Sequence, residues 1–238
     1  MTASAHLDHA RIEQGVLSLR PDYRASLLAV AGLVPGPSDQ ASEALLTVAE
    51  EKARALLSDT PVEEIGHVAA WRDAYRAFGA KPQRTRNSLE ALLRRAPDGL
   101  PRVDRLTDTY NAISVLRLVP VGGEDLRRYV GAPRLVRATG EEVFDTTAGG
   151  VGVLEHPDPG EVVWRDDIGV TCRRWNWRQG NRTRLREGTT TALFMLDALD
   201  PMDDGSLRAA TDDLAARLSG LGPDVTVESR LIPGRPLA

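Results

Sequence analysis

Cys172-Arg173-Arg174-Trp175-Asn176-Trp177-Arg178-Gln179-Gly180-Asn181-Arg182-Thr183 gathers two of the protein's four tryptophans, four arginines and two asparagines into twelve residues. Side chains this flat, cationic and amide-bearing are costly to bury unless they find partners. They also suit a planar, anionic ligand, because Arg presents a rigid fork of donors and Trp a face for stacking. Two readings stay open. One is a strand and turn whose tryptophans enter the core while the arginines are solvated. The other is a ligand-facing wall. If the run is a strand, alternation sets Arg174, Asn176 and Arg178 on one face and Arg173, Trp175 and Trp177 on the other. The first face is then the ligand side, with Thr183 hydrogen-bonding nearby.

Downstream, Thr190–Leu199 reads as strand running into loop near Ala192–Leu196, 206–218 as an amphipathic helix, and 225–232 as a last alternating strand. Upstream of the run, 134–138, 142–144, 161–164 and 169–172 are strand-like, as is 182–185 at its end, with turn residues between them. Further back the texture is helical. Helices are expected at 42–57 (capped by Ser38 or Ser42), 62–78, 87–95 and 105–118, the last running into a strand near 116–119. Pro120–Gly123 reads as a turn and 124–129 as a short helix. Residues 16–19 and 26–33 look like two early strands parted by a turn at Arg20-Pro21-Asp22. Helices largely first and strands afterwards point to an α+β fold with layered mixed sheets and packed helices. Residues 1–60 are expected to pack as a strand/helix segment on a 61–238 body, forming one compact unit.

Composition limits the function. The 42% apolar content supports a core. Cys172 is the only cysteine, so neither an internal disulfide nor a cysteine-based metal framework can form. His6, His9, His67 and His156 are scattered, so no metal site and no cofactor are expected. No apolar run approaches the roughly 18–20 residues that span a membrane, and the N-terminus lacks a basic region followed by an apolar one. A cytoplasmic protein is expected. The net charge of -4 argues against broad polyanion binding, but residues 171–191 carry six arginines against Glu187 alone, so a nucleic-acid contact would be local.

A series of motifs resembles a known family. The series is Trp71-Arg72-Asp73-Ala74-Tyr75-Arg76-Ala77-Phe78-Gly79-Ala80-Lys81-Pro82, Asn87-Ser88-Leu89-Glu90-Ala91-Leu92-Leu93-Arg94-Arg95, Thr109-Tyr110-Asn111-Ala112-Ile113-Ser114, Pro120-Val121-Gly122-Gly123-Glu124-Asp125-Leu126, Ala138-Thr139-Gly140-Glu141-Glu142-Val143-Phe144, Gly160-Glu161-Val162-Val163 and the Arg-Trp-Asn-Trp-Arg run. In order and spacing it resembles stand-alone relatives of the tRNA-editing domain, the third and fourth modules, of the bacterial phenylalanyl-tRNA synthetase β subunit. The resemblance covers about residues 65–200 and is weaker outside them. It implies an α+β fold and a trans-acting hydrolase that deacylates mischarged tRNA, serving translation fidelity, with tRNA as partner. It implies no amino-acid activation.

Such hydrolysis needs a steered water, donors for the developing oxyanion, a carboxylate for the ammonium and a flat surface for the terminal adenine. The resemblance makes Glu141 and Glu142 the carboxylates, since a glutamate at the matching place lies in the family's editing pocket. Two solvated turn glutamates would look the same. Asn111 and Ser114 share a helix face and could orient water or substrate, or simply bond a helix end. Arg173, Arg174, Trp175, Asn176, Trp177 and Arg178 would form the pocket wall. Cys172 reads as a small buried residue rather than a nucleophile, because no histidine accompanies it. In one place the chain departs from the family. The family has a histidine shortly after the proline matching Pro120, and this chain has Gly122-Gly123, whose backbone N–H groups would instead serve a phosphate or oxyanion, or merely a tight turn. Three functions therefore stand side by side: a trans-editing deacylase, a non-catalytic tRNA- or RNA-binding module, and an amino-acid-binding protein.

Overall fold

In the computed structural model, which describes residues 2–234, the chain opens with α1 (Ala3–His9), β1 (Arg11–Ile12), α2 (Gln14–Leu19) and β2 (Arg24–Ala31). The helices α3 (Gln40–Asp59), α4 (Gly66–Ala77), α5 (Ser88–Arg95) and α6 (Arg105–Arg117) follow. Next come β3 (Val121–Asp125), β4 (Arg134–Arg137), β5 (Phe144–Ala148), β6 (Val151–Glu155), β7 (Val162–Arg165), β8 (Val170–Arg173), β9 (Arg178–Gln179) and β10 (Thr191–Ala198). The elements α7 (Asp204–Ser219) and β11 (Thr226–Ile232) end the series.

An antiparallel sheet in the order β11-β2-β10-β3 sits between two cores. Alternation along β2 and β10 sends Ala25, Leu27, Ala29, Leu193 and Met195 to one side and Leu28, Val30, Ala192, Phe194 and Leu196 to the other. That double burial is what a short continuous apolar run encodes. The first core is closed by a second sheet, β1-β4-β7-β8-β9, through Leu135, Val162, Trp164 and Cys172. The second is closed by Leu106 and Ile113 of α6 and Leu207, Leu214 and Leu218 of α7. Helices α3 to α6 share a third core around Leu46, Val68, Leu89, Leu93 and Val115. The β5–β6 hairpin lies over the outer face of the second sheet, with Phe144 against Val136, Val163 and Val170. The fold is α+β and layered, as expected.

Several local expectations are corrected. Residues 16–19 belong to α2, closed by Arg20 N–H donating to the Val16 carbonyl at 2.9 Å, because a four-residue apolar run carries no period of its own. No strand follows α6 directly: the helix ends at Leu118 with φ +53, and His67 Nδ1 lies 2.7 Å from the Leu118 carbonyl oxygen. Pro120–Gly123 is not a turn, since Val121–Asp125 pairs with β10 as β3, and the short helix after it shrinks to a 3-10 turn at Leu126–Arg128. Residues 182–185 make one isolated bridge, Glu124 to Arg184, instead of a strand. The cap of α3 is Asp39, between the two serines considered, with Ser42 completing a reciprocal capping box. The elements α1, β1 and β6 have no counterpart in the sequence reading.

Candidate functional site

The Arg–Trp run is a hairpin. β8 and β9 pair at Cys172–Gln179 and Arg173–Arg178, and residues 174–177 turn between them. Arg174 and Trp175 take φ +48 and +68, the left-handed region that bulky side chains rarely enter. The expected alternation through 173–178 is therefore broken, and residues assigned to opposite faces are redistributed. Arg173 forks onto Glu161, with Nε to Oε1 at 2.9 Å and Nη2 to Oε2 at 2.7 Å, and donates to Glu155 at 3.0 Å. The Arg174 N–H donates to Glu161 Oε1 at 3.2 Å, and the Trp175 N–H to the Val162 carbonyl at 2.7 Å. The Trp175 indole is wholly buried, with ring centroids 4.9 Å from Tyr23, 5.3 Å from Trp71 and 6.3 Å from Phe78. Each left-handed residue costs on the order of 1–3 kcal/mol, a cost that buried aromatic packing and charge-assisted hydrogen bonds offset.

This hairpin borders a cleft of about 240 Å³. α5 contributes Ser88, Ala91 and Leu92, and α6 contributes Tyr110 and Asn111. β3 gives Val121 and Gly122, and the hairpin gives Cys172, Asn176, Trp177, Arg178 and Gln179. The elements are locked together by backbone: Ser88 N–H donates to the Asn176 carbonyl at 3.2 Å. Gln179 Nε2 donates to the Gly123 carbonyl at 2.7 Å, and Arg178 Nη2 to the Thr147 carbonyl at 2.9 Å. The Asn176 amide is held from behind. Its Oδ1 accepts from the Tyr75 hydroxyl at 3.0 Å, and its Nδ2 donates to Asp197 Oδ2 at 3.2 Å. Asp197 also accepts from the Tyr23 hydroxyl at 2.6 Å. An amide carries two N–H bonds, and the bond to Asp197 uses one of them. Burial pushes the Asp197 carboxyl up to about 7, against the hydrogen bonds of Tyr23 and Asn176. On the same side of β3, burial takes Glu124 to about 7, while its hydroxyl partner Tyr129 pulls it down.

A second hollow of about 440 Å³ is lined by Phe78, Gly79, Ala80, Lys81, Arg84, Thr85, Asp158, Glu161 and Arg174. The two openings adjoin at Arg174 and Trp177, whose guanidinium and indole stack at 4.6 Å.

The structure thus brings Asn111, Gly122, Asn176, Trp177 and Arg178 to one cleft, and puts Arg174 in the neighbouring hollow. Other expected residues lie elsewhere. Arg173 and Trp175 are buried in structural contacts. The Ser114 hydroxyl donates to the Val119 carbonyl at 2.6 Å, closing the end of α6. Gly123 faces Phe194 and Leu185, and a Cβ there would meet them at 2.8 and 2.9 Å. Thr183 is fully buried, its carbonyl accepting from the Asp125 N–H at 2.6 Å. Glu141 is exposed on the turn before β5. Glu142 accepts from the N–H groups of Thr139 and Gly140 and from the Thr139 hydroxyl at 3.0 to 3.1 Å. Burial works against that carboxylate's charge, yet these donors hold its pKa below the ordinary value. Neither glutamate lines the cleft or the hollow. Burial, with Glu124 close by, pushes the Cys172 thiol well up, so it is a poor nucleophile.

Sequence reasoning missed Asp197, Tyr23, Tyr75 and Glu161, which hold the site from behind. The only signal for Asp197 was a polar residue inside an otherwise apolar strand, Ala192–Ala198. Among the described residues no group of three or more His, Cys, Asp or Glu side chains could hold a metal ion, and no helix is long and apolar enough to cross a membrane.

No curated protein sequence matches the chain. Among solved structures it is similar to an N-terminal fragment of the phenylalanyl-tRNA synthetase β subunit from Pyrococcus horikoshii, with a TM-score of 0.45 and 10% identity, over 94% of this chain and 54% of that one. The model of the B3/4 domain matches residues 70–218, a span that contains all the cleft-lining residues. The chain belongs to the B3/4 domain family, the family of the synthetase module that its motifs resemble.

Proposed function

We propose that this protein is a trans-acting deacylase that holds the aminoacylated 3′ adenosine of a mischarged tRNA at the hairpin cleft and hydrolyses the ester. The observation that carries this reading is the convergence of Asn111, Gly122, Asn176, Trp177 and Arg178, drawn from three separate motifs, on one opening. The chemistry is positional. In the reaction, water attacks the ester carbonyl and the bond to the ribose oxygen breaks; the ribose oxygen leaves as the hydroxyl with one of the water's protons, and the amino acid leaves as its carboxylate, its second proton going to solvent. An ester already activated needs a held water and an oxyanion donor more than a strong base. Asn111 holds the water, and Arg178 faces the developing negative charge; both line the cleft. The indole of Trp177 offers the flat surface for a base. At about 240 Å³ the cleft is smaller than the roughly 300–1,000 Å³ of typical ligand pockets, so it suits the aminoacyl end while the nucleotide extends outside.

A second reading, binding without turnover, is favoured by one fact: among the described residues no carboxylate and no histidine lines the cleft. Incubation with a panel of mischarged tRNAs separates the two. The deacylase reading expects ester loss that falls by roughly 10²-fold or more in Asn111→Ala or Arg178→Ala, on the scale of a removed oxyanion donor, and that survives Cys172→Ala. Binding with no turnover on any tRNA overturns it in favour of the second. Loss on Glu141→Ala alone would return the carboxylate role to the turn before β5.

A further inference from the structure

We infer that the hollow beside the cleft is a phosphodiester subsite for single-stranded RNA, built by Lys81, Arg84 and Arg174. This deepens the reading of the cleft as the seat of an RNA 3′ end and rests on it.

The loop that makes the hollow is rigidly specified. α4 ends in a Schellman motif: Gly79 N–H donates to the Arg76 carbonyl at 3.0 Å and Ala80 N–H to the Tyr75 carbonyl at 2.9 Å, with Gly79 at φ +92. Pro82 follows, and the Lys81 carbonyl accepts from both Arg84 and Thr85 N–H at 2.9 Å. Lys81 and Arg84 are exposed, and among the described residues no carboxylate lies within 4 Å of either. Arg174 is fixed between them and the cleft. Its guanidinium donates to Thr85 Oγ1 and to Glu161 Oε2 and rests on Trp177.

Charge accounting selects the ligand. Glu161 is buried, and both its oxygens are taken by Arg173 and Arg174, so it offers nothing to a cation entering the hollow. The other lining acid, Asp158, is exposed at the rim, 3.9 Å from Arg174. Two unpaired cations therefore face one rim carboxylate, in a chain whose net charge is -4. An isolated small anion would use the hollow alone. The adjoining indole, backed by Arg174 and with Arg178 at 5.8 Å, adds a stacking surface. A cationic track beside an aromatic face is how single strands are held. The terminal base or aminoacyl group would sit at Trp177 and the preceding phosphate in the hollow.

The test is fluorescence anisotropy of a short single-stranded RNA ending in a 3′ adenosine, over a series of salt concentrations. Lys81→Ala/Arg84→Ala is expected to lower the slope of log K against log[salt] by about 0.7, the contribution of one neutralised phosphate on a single strand. Arg208→Ala/Arg217→Ala removes the same charge from α7, on the far side of the four-stranded sheet, and is expected to keep the native slope. Asp158→Asn is expected to tighten binding, a gain that misfolding would not give. Absence of binding by the native chain, or equal slopes in the native and Lys81/Arg84 variants, overturns the inference. A reduced slope together with no ester turnover on any mischarged tRNA leaves the subsite standing and removes the deacylase reading.

Discussion

Trp175 keeps a backbone torsion that large residues avoid because its ring has nowhere better to go. Tyr23, Trp71 and Phe78 enclose it, and Val162 takes its N–H. Truncation to alanine empties that site while leaving the strain, and is expected to cost roughly 3–5 kcal/mol in a urea melt. Glycine empties it too but relaxes φ +68, so Trp175→Gly should be the more stable of the two by about 1 kcal/mol. The reverse order would show that the torsion carries no strain. Composition marked the 172–183 run as important without giving its shape. Alternation presumes a strand, whereas the turn is selected by Glu161 and by an aromatic box of Tyr23 just before β2, Trp71 in α4 and Phe78 at its end, none of them sequence neighbours. Asp197 is legible even less, since nothing local announces that Asn176 will need it. Its carboxyl moves from 3.8 to about 7 on burial. Across that window the folded chain keeps a proton that the unfolded chain has released, so Asp197 makes native stability fall as pH rises towards 7, and its effect levels off above. Glu124, raised from 4.5 to about 7, acts in the same direction, and His67, lowered by burial from 6.5 to about 4, in the opposite one. Asp197→Asn deletes one component alone. The stability advantage of the native chain over this variant should shrink by about 2.5–3 kcal/mol between about pH 5 and about pH 8, at about 1.4 kcal/mol per unit up to about pH 7. A constant difference in urea melts at the two pH values would mean that Asp197 stays ionised throughout.

At the scale of elements, the helices were the legible part. The spans of α3, α4, α5, α6 and α7 follow apolar spacing and caps that act within a turn of the chain. β3 was not legible, because Pro120-Val121-Gly122-Gly123 has the composition of a turn. Its strand character comes from β10, whose Phe194 and Met195 lie opposite Gly123 and Gly122, and Phe194 occupies the room that a side chain at Gly123 would need. The two glycines do different things, and substitution separates them. A Cβ on Gly123 meets Phe194 Cε1 at 2.8 Å and Leu185 Cδ1 at 2.9 Å, so Gly123→Ala is expected to cost roughly 1–3 kcal/mol by overpacking. A Cβ on Gly122 finds Gln179 Nε2 at 3.4 Å and Met195 Cε at 3.8 Å, ordinary contacts, so Gly122→Ala should stay within about 0.5 kcal/mol of the native chain. Because Gly122 lines the cleft, the same substitution places a methyl group there and is expected to weaken RNA-end binding without a stability loss. Equal thermal stability of the two variants would deny the packing argument for β3.

For the molecule as a whole, the decisive element is the one that sequence boundaries set apart. Residues 1–60 look like an appendage because the family motifs begin after them. Yet β2 lies between β11 and β10, paired over its full length with β10 from Thr191–Ala31 to Ala198–Arg24. It feeds both cores of the layered body, Leu27 on the hairpin side and Leu28 and Val30 on the α7 side. Tyr23, at its start, is also part of the aromatic box and a ligand of Asp197. Such pairing joins positions at least 160 residues apart, from Ala31 with Thr191 to Arg24 with Ala198, which no local pattern can reveal. Without β2 the edges of β10 and β11 that now face it would be left open and two apolar cores would be exposed, a state that a marginally stable domain cannot sustain. A chain of residues 61–238 is therefore expected to lose its near-ultraviolet circular dichroism and its cooperative urea transition, and with them binding at the cleft. Adding residues 1–60 as a separate peptide should restore both in proportion to its concentration, by mass action on the folded state. A cooperative transition in the shorter chain alone would show that the motif-bearing span folds without the strand at its centre.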